Sequence, residues 1–300
     1  MKRAWLVVAV AVVSCESLED ASPPVVPRLR SRVPVFVPQP GFERLRFGLV
    51  PSLSTRTMIA SHQPLADYLG RILSVPVDLD VGDSFEDVVE HLALGDFDLV
   101  EITPTVYLRA SQRMKLECLA QSIADGSASA LGYLVVADGS PRRDLGDVKG
   151  ASIGFVDPLS TAGYVFAMQL LKDRGIDPKR DLGRIEFFGN HEAVLMAVKE
   201  GRVEVGATYQ GAIAALRRSF GVEPRTFRVI AKSERMPRNI LCVRPGLPAA
   251  VTETLSQALL AIDTRTRAGR EILGPLDLNG YRSPNPRDYD EVRRYTGAVP

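Results

Sequence analysis

The feature that most constrains the fold is a strand–turn–helix unit between Lys149 and Gly175. The apolar run Ser152 to Val156 has the length and β-branched content of a short buried strand. Asp157-Pro158-Leu159 breaks this strand, because proline lacks a backbone donor and biases its predecessor away from helix. Ser160 then predicts the N-cap of a helix whose apolar face ends at Gly175.

This helix start has both a functional and a purely structural explanation. The first-turn amides of a helix have no intrahelical acceptor, the dipole is positive there, and Ser160 and Thr161 add hydroxyl donors. These features suit an anion. A capped helix needs a serine at this position even without a ligand, so the unit alone leaves both explanations open.

Strands alternate with helices from Leu45 onward, in two series. The first helix is expected to have Pro64 near its first turn. Alternation of this kind predicts an α/β protein with doubly wound layers. Crossings near Ala137 to Leu145 and near Ala231 to Asn239 predict two lobes joined by a two-stranded hinge. The predicted lobes are residues 45–138 with 234–300 (lobe 1) and residues 139–233 (lobe 2).

The N-terminal segment predicts export. A basic start precedes the apolar run Ala4 to Val13, which has signal-peptide length and is short for a membrane span. Val12-Val13-Ser14-Cys15, at the end of this run, resembles the bacterial lipobox. Residues 1–15 are therefore predicted to be a lipoprotein signal peptide, with Cys15 lipidated as a membrane anchor; a plain secretory signal is the alternative. Residues 16–44 are proline-rich and predict a disordered tether.

Charge and cysteine content exclude several classes of protein. The 37 lysines and arginines nearly balance the 36 acids. The chain therefore lacks the excess of basic residues that would indicate nucleic-acid binding. Cys118 and Cys242 are too few for a structural zinc site. They could pair in an oxidising compartment or remain separate buried thiols. No nucleotide-binding or metal motif is present, so neither a metal nor a cofactor is expected.

Polar and aromatic residues follow several predicted strands at the point where each strand ends. In open α/β sheets, ligands bind beyond these carboxyl ends. Each residue can cap a helix, but their joint placement favours an anion held between the lobes. The residues are Ser52, Ser84, Phe85, Thr103, Asp157, Ser160, Thr161, Asn190, His191 and Tyr209.

Two of these elements resemble the phosphonate-binding proteins of bacterial ABC importers. Those proteins carry a D-P-x-S-T-S-G turn and a G-H-E element, and Asp157 to Gly163 (DPLSTAG) and Gly189 to Glu192 (GNHE) match them in type and separation. The layout of Phe47 to Pro51 and Pro64 to Leu69 is also similar, and the resemblance covers roughly Leu45 to Leu260.

The resemblance implies a type II periplasmic binding protein fold that closes on a phosphonate, phosphite or phosphate-like oxyanion. It implies a monomer, in the periplasm or on the outer cell surface, that delivers this ligand to an ABC permease and its ATPase. No enzymatic activity is implied. Contact with the membrane would be made through the lipid anchor only.

Site residues are implied position by position. Ser160 and Thr161 would bind the anion oxygens, with Gly163 in the same turn, and His191 would donate a ring N–H. Phe85 stands where the family often has a cleft tyrosine.

Three departures bear on the ligand, and the first is that Phe85 keeps the ring of the family's tyrosine but lacks its hydroxyl donor. Ala162 replaces the second serine of the turn, which removes a donor. Aminophosphonate binders place acids for the ligand ammonium in the region of Tyr209, where no clear acid is seen, so a smaller anion or an uncharged tail is favoured. Tyr209 and Thr103 complete the expected ligand contacts.

Two other functions fit parts of the same pattern. A lipoprotein that feeds a membrane sensor kinase would have the same fold and site. A hydrolase would use Ser160, His191 and Asp157, but no G-x-S-x-G elbow surrounds Ser160 and a serine used as an N-cap is poorly placed for attack. We therefore expect a binding protein with no catalytic residues.

Overall fold

The computed structural model describes residues 42–296. The predicted signal peptide, the predicted lipidation at Cys15 and the predicted tether as far as residue 41 lie outside the described residues. Within residues 42–296, no helix has the length and apolar character needed to cross a bilayer.

A six-stranded sheet forms the centre of lobe 1, in the order β11-β4-β10-β3-β1-β2. Its strands are β1 (Leu45–Leu49), β2 (Val77–Val81), β3 (Leu99–Ile102), β4 (Glu117–Ile123), β10 (Ile240–Val243) and β11 (Gly280–Arg282). The strands β2, β1 and β3 are parallel, whereas β10 and β11 add antiparallel pairs with β3 and β4. The chain thus leaves this sheet and returns to it.

A five-stranded sheet forms the centre of lobe 2, in the order β7-β6-β8-β5-β9. Its strands are β5 (Ser129–Ala137), β6 (Ile153–Phe155), β7 (Ile185–Phe187), β8 (Val205–Tyr209) and β9 (Phe227–Pro237). β7, β6 and β8 are parallel, and β5 runs antiparallel between β8 and β9. The predicted two-lobed α/β fold is confirmed.

Helices flank both sheets. They are α1 (Thr55–Leu73), α2 (Phe85–Leu94), α3 (Pro104–Ser111), α4 (Phe166–Asp173), α5 (Pro178–Asp181), α6 (His191–Lys199), α7 (Ala212–Phe220), α8 (Ala249–Ala261), α9 (Arg267–Leu273) and α10 (Asp290–Thr296). Short helical turns join several of them, including one π-helical turn, Thr161–Val165, that leads into α4.

The first crossing lies earlier than the sequence predicts. β4 and β5 are joined by residues 124–128, and β9 and β10 by residues 238–239, whereas lobe 2 was expected to span residues 139–233. β5 belongs to lobe 2 because it pairs with β8 and β9. An apolar run predicts a strand without saying which distant strand it pairs with, so this boundary depended on tertiary pairing.

Helix α1 begins nine residues before Pro64, so the expectation that Pro64 lies near the first turn is wrong. Its N-cap is Ser54, and its buried face includes Leu65, Leu69 and Leu73, spaced by one helical turn. Pro64 removes one backbone donor from the helix interior. The packing of the apolar face of α1 on the core of lobe 1 stabilises the helix despite this lost hydrogen bond.

Cys118 and Cys242 form a disulfide, which resolves the open alternative between pairing and separate thiols. They stand directly opposite each other on the antiparallel strands β4 and β10. The bond therefore joins the outgoing and returning parts of the chain within lobe 1.

One hydrophobic cluster crosses between the lobes. It joins Val100 and Val106 of lobe 1 with Val156, Phe166 and Val194 of lobe 2, all buried. Apolar side chains from both lobes exclude water together, so the structure shows the lobes closed on each other.

Candidate ligand-binding site

A cavity of about 680 Å³ lies between the lobes. Lobe 1 contributes Ser52, Thr57 and Thr103 to its lining, and lobe 2 contributes Thr161 and His191. The volume lies within the range of about 300–1,000 Å³ found for small-molecule sites. The ends of several strands thus converge on one space between the lobes.

The turn after β6 is held by its own side chains. Asp157 Oδ1 accepts from the Leu159 amide at 2.7 Å, and Ser160 Oγ accepts from the Gly163 amide at 3.1 Å. The helix that follows was expected to be α-helical from Thr161, but its first turn is π-helical and α4 begins at Phe166. Single π turns occur frequently at functional sites.

Ser160 and Thr161 are both buried at the cavity wall. Ser160 Oγ accepts a hydrogen bond within the turn, and so its own hydrogen remains available to a ligand. Thr161 Oγ1 accepts from the Thr105 amide at 3.1 Å and lies 2.9 Å from Thr105 Oγ1. The amides that begin this helical turn have no intrahelical acceptor, so this wall presents donors to an anion.

His191 is the first residue of α6, and Asn190 is the N-cap, accepting from the Ala193 amide at 2.9 Å. Gly189 precedes them at φ +80°, a left-handed conformation that favours glycine. The G-N-H-E sequence thus combines a tight turn, a cap and a histidine at a helix start.

The His191 ring is neutral at physiological pH, because burial lowers its pKa to about 3. Its Nδ1 lies 3.0 Å from Thr208 Oγ1, and the Tyr209 ring packs edge-on against it with centroids 4.8 Å apart. When Thr208 donates to Nδ1, the proton of the neutral ring is on Nε2. Nε2–H is then a donor for a ligand oxygen.

Of the other site residues predicted from the sequence, two line the cavity and two do not. Thr103 lines the cavity and caps α3, accepting from the Val106 amide. Tyr209 also lines the cavity, and burial raises its pKa to about 12, so it carries its proton. Phe85 and Gly163 are buried in the described structure but lie outside the cavity lining.

The roles expected of Phe85 and Gly163 from the sequence change accordingly. Phe85 belongs to the hydrophobic cluster between the lobes, so its ring serves packing and not the cavity wall. The Gly163 amide is used by Ser160 Oγ. A side chain at Gly163 would lie 2.4 Å from a Val156 methyl, so glycine is required there for close packing.

A carboxylate that joins the lobes was not predicted from the sequence. Glu192, next to His191, is buried, and its Oε2 accepts from the Ser54 amide at 2.8 Å while Oε1 accepts from Thr57 Oγ1 at 3.0 Å. The His191 amide also donates to Ser52 O at 3.0 Å. The G-N-H-E element marks Glu192 in the sequence, but its hydrogen-bond partners, Ser54 and Thr57, lie in the other lobe and far away in the chain.

A second group missed in the sequence is a buried pair on the lobe 1 wall. His62 Nε2 and Glu101 Oε2 lie 3.4 Å apart, and both residues line the cavity. Burial opposes ionisation of Glu101, but the contacts with His62 and Asn239 outweigh it and lower the carboxyl pKa. Neither residue follows a recognisable motif, because α1 and β3 bring them together only in the fold.

The two lobes, the strand that returns to the first sheet, and a cavity lined by residues of both lobes together define the class of type II periplasmic binding proteins. More specifically, the chain belongs to the family of periplasmic substrate-binding proteins of phosphonate ABC transporters, whose sequence profile matches residues 47–289. The resemblance seen in the sequence is thereby confirmed.

Individual relatives agree with this assignment. The phosphate-import protein PhnD of Mycolicibacterium smegmatis is 23% identical over 241 residues, covering 76% of this chain and 74% of the relative. A binding protein component of an ABC phosphonate transporter from Pseudomonas aeruginosa has a similar structure, with a TM-score of 0.78, 18% identity and 85% coverage of each chain.

PhnD1 from Prochlorococcus marinus in complex with methylphosphonate also has a TM-score of 0.78. It is 16% identical, and the similarity covers 86% of this chain and 98% of that protein. At these identities the solved structures establish the fold, and the family match establishes a substrate-binding protein of a phosphonate transporter.

Proposed function

We propose that this binding protein holds the tetrahedral oxyanion group of a phosphonate or a phosphate-like ligand between Ser160, Thr161 and His191. The observation that carries this proposal is the convergence of two hydroxyls, the start of a helical turn and a neutral histidine on one closed cavity. An anion that enters the cavity loses its hydrogen bonds to water. Hydrogen bonds from neutral donors to the charged oxygens replace them, and such charge-assisted bonds are strong.

The relatives support the class of ligand. The structure of the Prochlorococcus marinus protein is a complex with methylphosphonate, and the Mycolicibacterium smegmatis relative is named a phosphate-import protein. Both ligands present phosphorus with several anionic oxygens, which the proposed donors would bind in the same way.

Binding without turnover is part of the proposal. Within residues 42–296, no hydrogen bond links Ser160 to His191 or His191 to Asp157. Ser160 Oγ contacts the Gly163 amide, His191 Nδ1 contacts Thr208, and Asp157 Oδ1 contacts the Leu159 amide. The three side chains therefore serve the turn and the cavity wall, and the geometry of a nucleophile activated by a base is missing.

The mode of action follows from the closed lobes. An open cleft would expose the donors of lobe 2, and the anion would stabilise closure by also contacting lobe 1 residues of the same cavity, such as Ser52 and Thr103, in the closed state only. We further propose that the protein acts as a monomer anchored through lipidated Cys15 on the periplasmic or outer cell surface. In this form it would deliver ligand to the permease and its ATPase.

Calorimetric titration with methylphosphonate, phosphite and phosphate tests the site. We expect the double variant Ser160→Ala, Thr161→Ala to lose at least about 100-fold in affinity, as two charge-assisted hydrogen bonds contribute about 3 kcal/mol together. Ser84→Ala is the matched control, because Ser84 caps α2 by accepting from the Asp87 amide and lies outside the cavity lining. Unchanged affinity in the double variant, with an intact circular dichroism spectrum, would disprove the assignment.

A further inference from the structure

We propose that His62, Glu101 and Ser122 form a second subsite of the cavity, which binds a hydroxyl group on the organic part of the ligand. This inference rests on the proposed oxyanion site and adds the chemical class of the rest of the ligand. The protein would then prefer hydroxyalkyl phosphonates or phosphate esters of small polyols to bare oxyanions.

The size of the cavity is the first argument. A water molecule takes up about 30 Å³ in the liquid. An oxyanion of five heavy atoms occupies the volume of only a few water molecules, which is a small part of the 680 Å³ cavity. Volumes of this order usually hold whole organic molecules. A ligand that used only Ser160, Thr161 and His191 would leave most of the cavity to water.

Unused hydrogen-bonding atoms on the lobe 1 wall are the second argument. His62 Nε2, Glu101 Oε2 and Ser122 Oγ are fully buried, belong to residues that line the cavity, and have no hydrogen-bond partner among the described residues. The 3.4 Å contact between His62 and Glu101 has ion-pair distance without hydrogen-bond alignment. Buried polar atoms are nearly always paired in folded proteins, so a group from the ligand is the expected partner.

The other ends of the same side chains are fixed. His62 Nδ1 donates to Met58 O at 2.8 Å, since a carbonyl can only accept, and Asn239 Nδ2 donates to Glu101 Oε1 at 3.1 Å. These contacts orient His62 and Glu101 before a ligand arrives. A preorganised pair loses little conformational freedom on binding and can therefore discriminate between ligand groups.

The chemistry of the three atoms favours a hydroxyl. A hydroxyl can donate to the Glu101 carboxylate and accept from Ser122 at the same time. A purely apolar tail would leave all three atoms unpaired, which is unfavourable.

The spacing of the two subsites indicates the length of the tail. Glu101 precedes Thr103, at the oxyanion end of the cavity, by two residues of extended chain, a span of about 7 Å. A chain of two or three carbons between the phosphorus and the hydroxyl covers this distance.

The test compares ligands that differ in a single group. Methylphosphonate, propylphosphonate, 3-hydroxypropylphosphonate and 3-aminopropylphosphonate are titrated calorimetrically into the wild-type protein and into Glu101→Gln, Ser122→Ala and the control Glu117→Gln, an exposed carboxylate on β4. We expect the hydroxypropyl ligand to bind at least about tenfold tighter than propylphosphonate in the wild type, as one hydrogen bond to a charged group provides. Glu101→Gln and Ser122→Ala should reduce this preference, measured within each variant as the ratio of hydroxypropyl to propyl affinity, while the control Glu117→Gln keeps the wild-type ratio.

The outcomes are distinguishable. Equal binding of the hydroxypropyl and propyl ligands, or a preference that survives Glu101→Gln, would overturn the subsite while methylphosphonate binding upheld the proposed function. Tightest binding of the aminopropyl ligand would overturn the hydroxyl assignment, since the pair would then accept a cation. Failure of every phosphonate and of phosphate to bind would overturn the proposed function and the subsite with it.

Discussion

The Glu192 carboxylate of lobe 2 accepts a hydrogen bond from the Ser54 amide of lobe 1 at 2.8 Å. Ser54 is the N-cap of α1, so this carboxylate lies at the positive end of that helix, where an anion is favoured. Thr57 Oγ1 adds a second hydrogen bond to the same carboxylate at 3.0 Å. The protein's own anion thus stabilises the closed arrangement next to His191.

Glu192→Gln is expected to weaken ligand binding without a ligand contact being removed. Closure and binding are coupled, so losing a charge-assisted contact made only in the closed state lowers the apparent affinity by roughly tenfold. Titration with methylphosphonate measures the affinity, and small-angle X-ray scattering measures the radius of gyration with and without ligand. Glu200→Gln is the control, because Glu200 lies exposed at the end of the same helix beside Arg202. Unchanged affinity and compaction in Glu192→Gln would contradict the coupling.

The stability of the ligand-free protein should fall with acidification because of His191. Its pKa is lowered to about 3 by burial, against about 6.5 in the unfolded chain. The unfolded state binds this proton first, so stability present above pH 6.5 is lost progressively toward pH 3. This loss amounts to about 2 kcal/mol between pH 7 and pH 5.

Urea unfolding at pH 7 and pH 5, in buffers free of phosphate, measures the effect. Other groups titrate over the same interval, so the comparison is with His191→Gln, which should show about 2 kcal/mol less destabilisation on acidification. The same pH dependence in both proteins would show that His191 does not lose its proton on folding.

Removing the disulfide should destabilise the fold and spare the site. Cys118 and Cys242 are separated by 124 residues in sequence, and a cross-link closing a long loop typically contributes about 2–4 kcal/mol. Neither residue lines the cavity. We expect Cys118→Ala with Cys242→Ala to lower the free energy of unfolding by this amount while methylphosphonate affinity changes less than about twofold, the change of about 0.4 kcal/mol expected of a distant site. Reductant should destabilise the wild type and leave the double variant unaffected.

Gly163→Ala should damage both stability and binding. The new methyl would lie 2.4 Å from Val156 Cγ2 and 2.8 Å from Ser160 Oγ, and overpacking of this kind costs about 1–3 kcal/mol. Because Ser160 must move, methylphosphonate affinity should also fall. Thermal unfolding and titration measure the two effects. Gly139→Ala is the control, since a methyl there meets no atom within 4 Å; equal behaviour of the two variants would contradict the packing argument.

Local patterns in the sequence predicted the elements with sharp chemical boundaries. Ser84, Thr103 and Asn190 are N-caps, and each accepts the hydrogen bond expected of it. Pro64 shows where such reasoning fails. A proline favours a first turn, but α1 starts earlier, at Thr55, and the burial of its apolar face on lobe 1 outweighs the local preference.

The candidate site was only partly predictable for the same reason. Ser160, Thr161 and His191 belong to a strand end or a helix start, so the rule that ligands bind beyond the carboxyl ends of strands applied to them. His62 lies within α1 and Glu101 within β3, where a titratable residue gives no local signal. Phe85 follows a strand end as well, yet it packs into the cluster between the lobes.

The amino-acid sequence by itself determined the alternation of strands and helices, their caps, the family and the D-P-x-S-T turn, because these depend on residues close together in the chain. Only the tertiary structure decided that β5 belongs to lobe 2, that Cys118 meets Cys242, and that Glu192 reaches Ser54. The physical reason is that pairing between distant strands and contacts between lobes are set by the packing of the whole chain. A local sequence pattern describes only one of the two partners in such a contact.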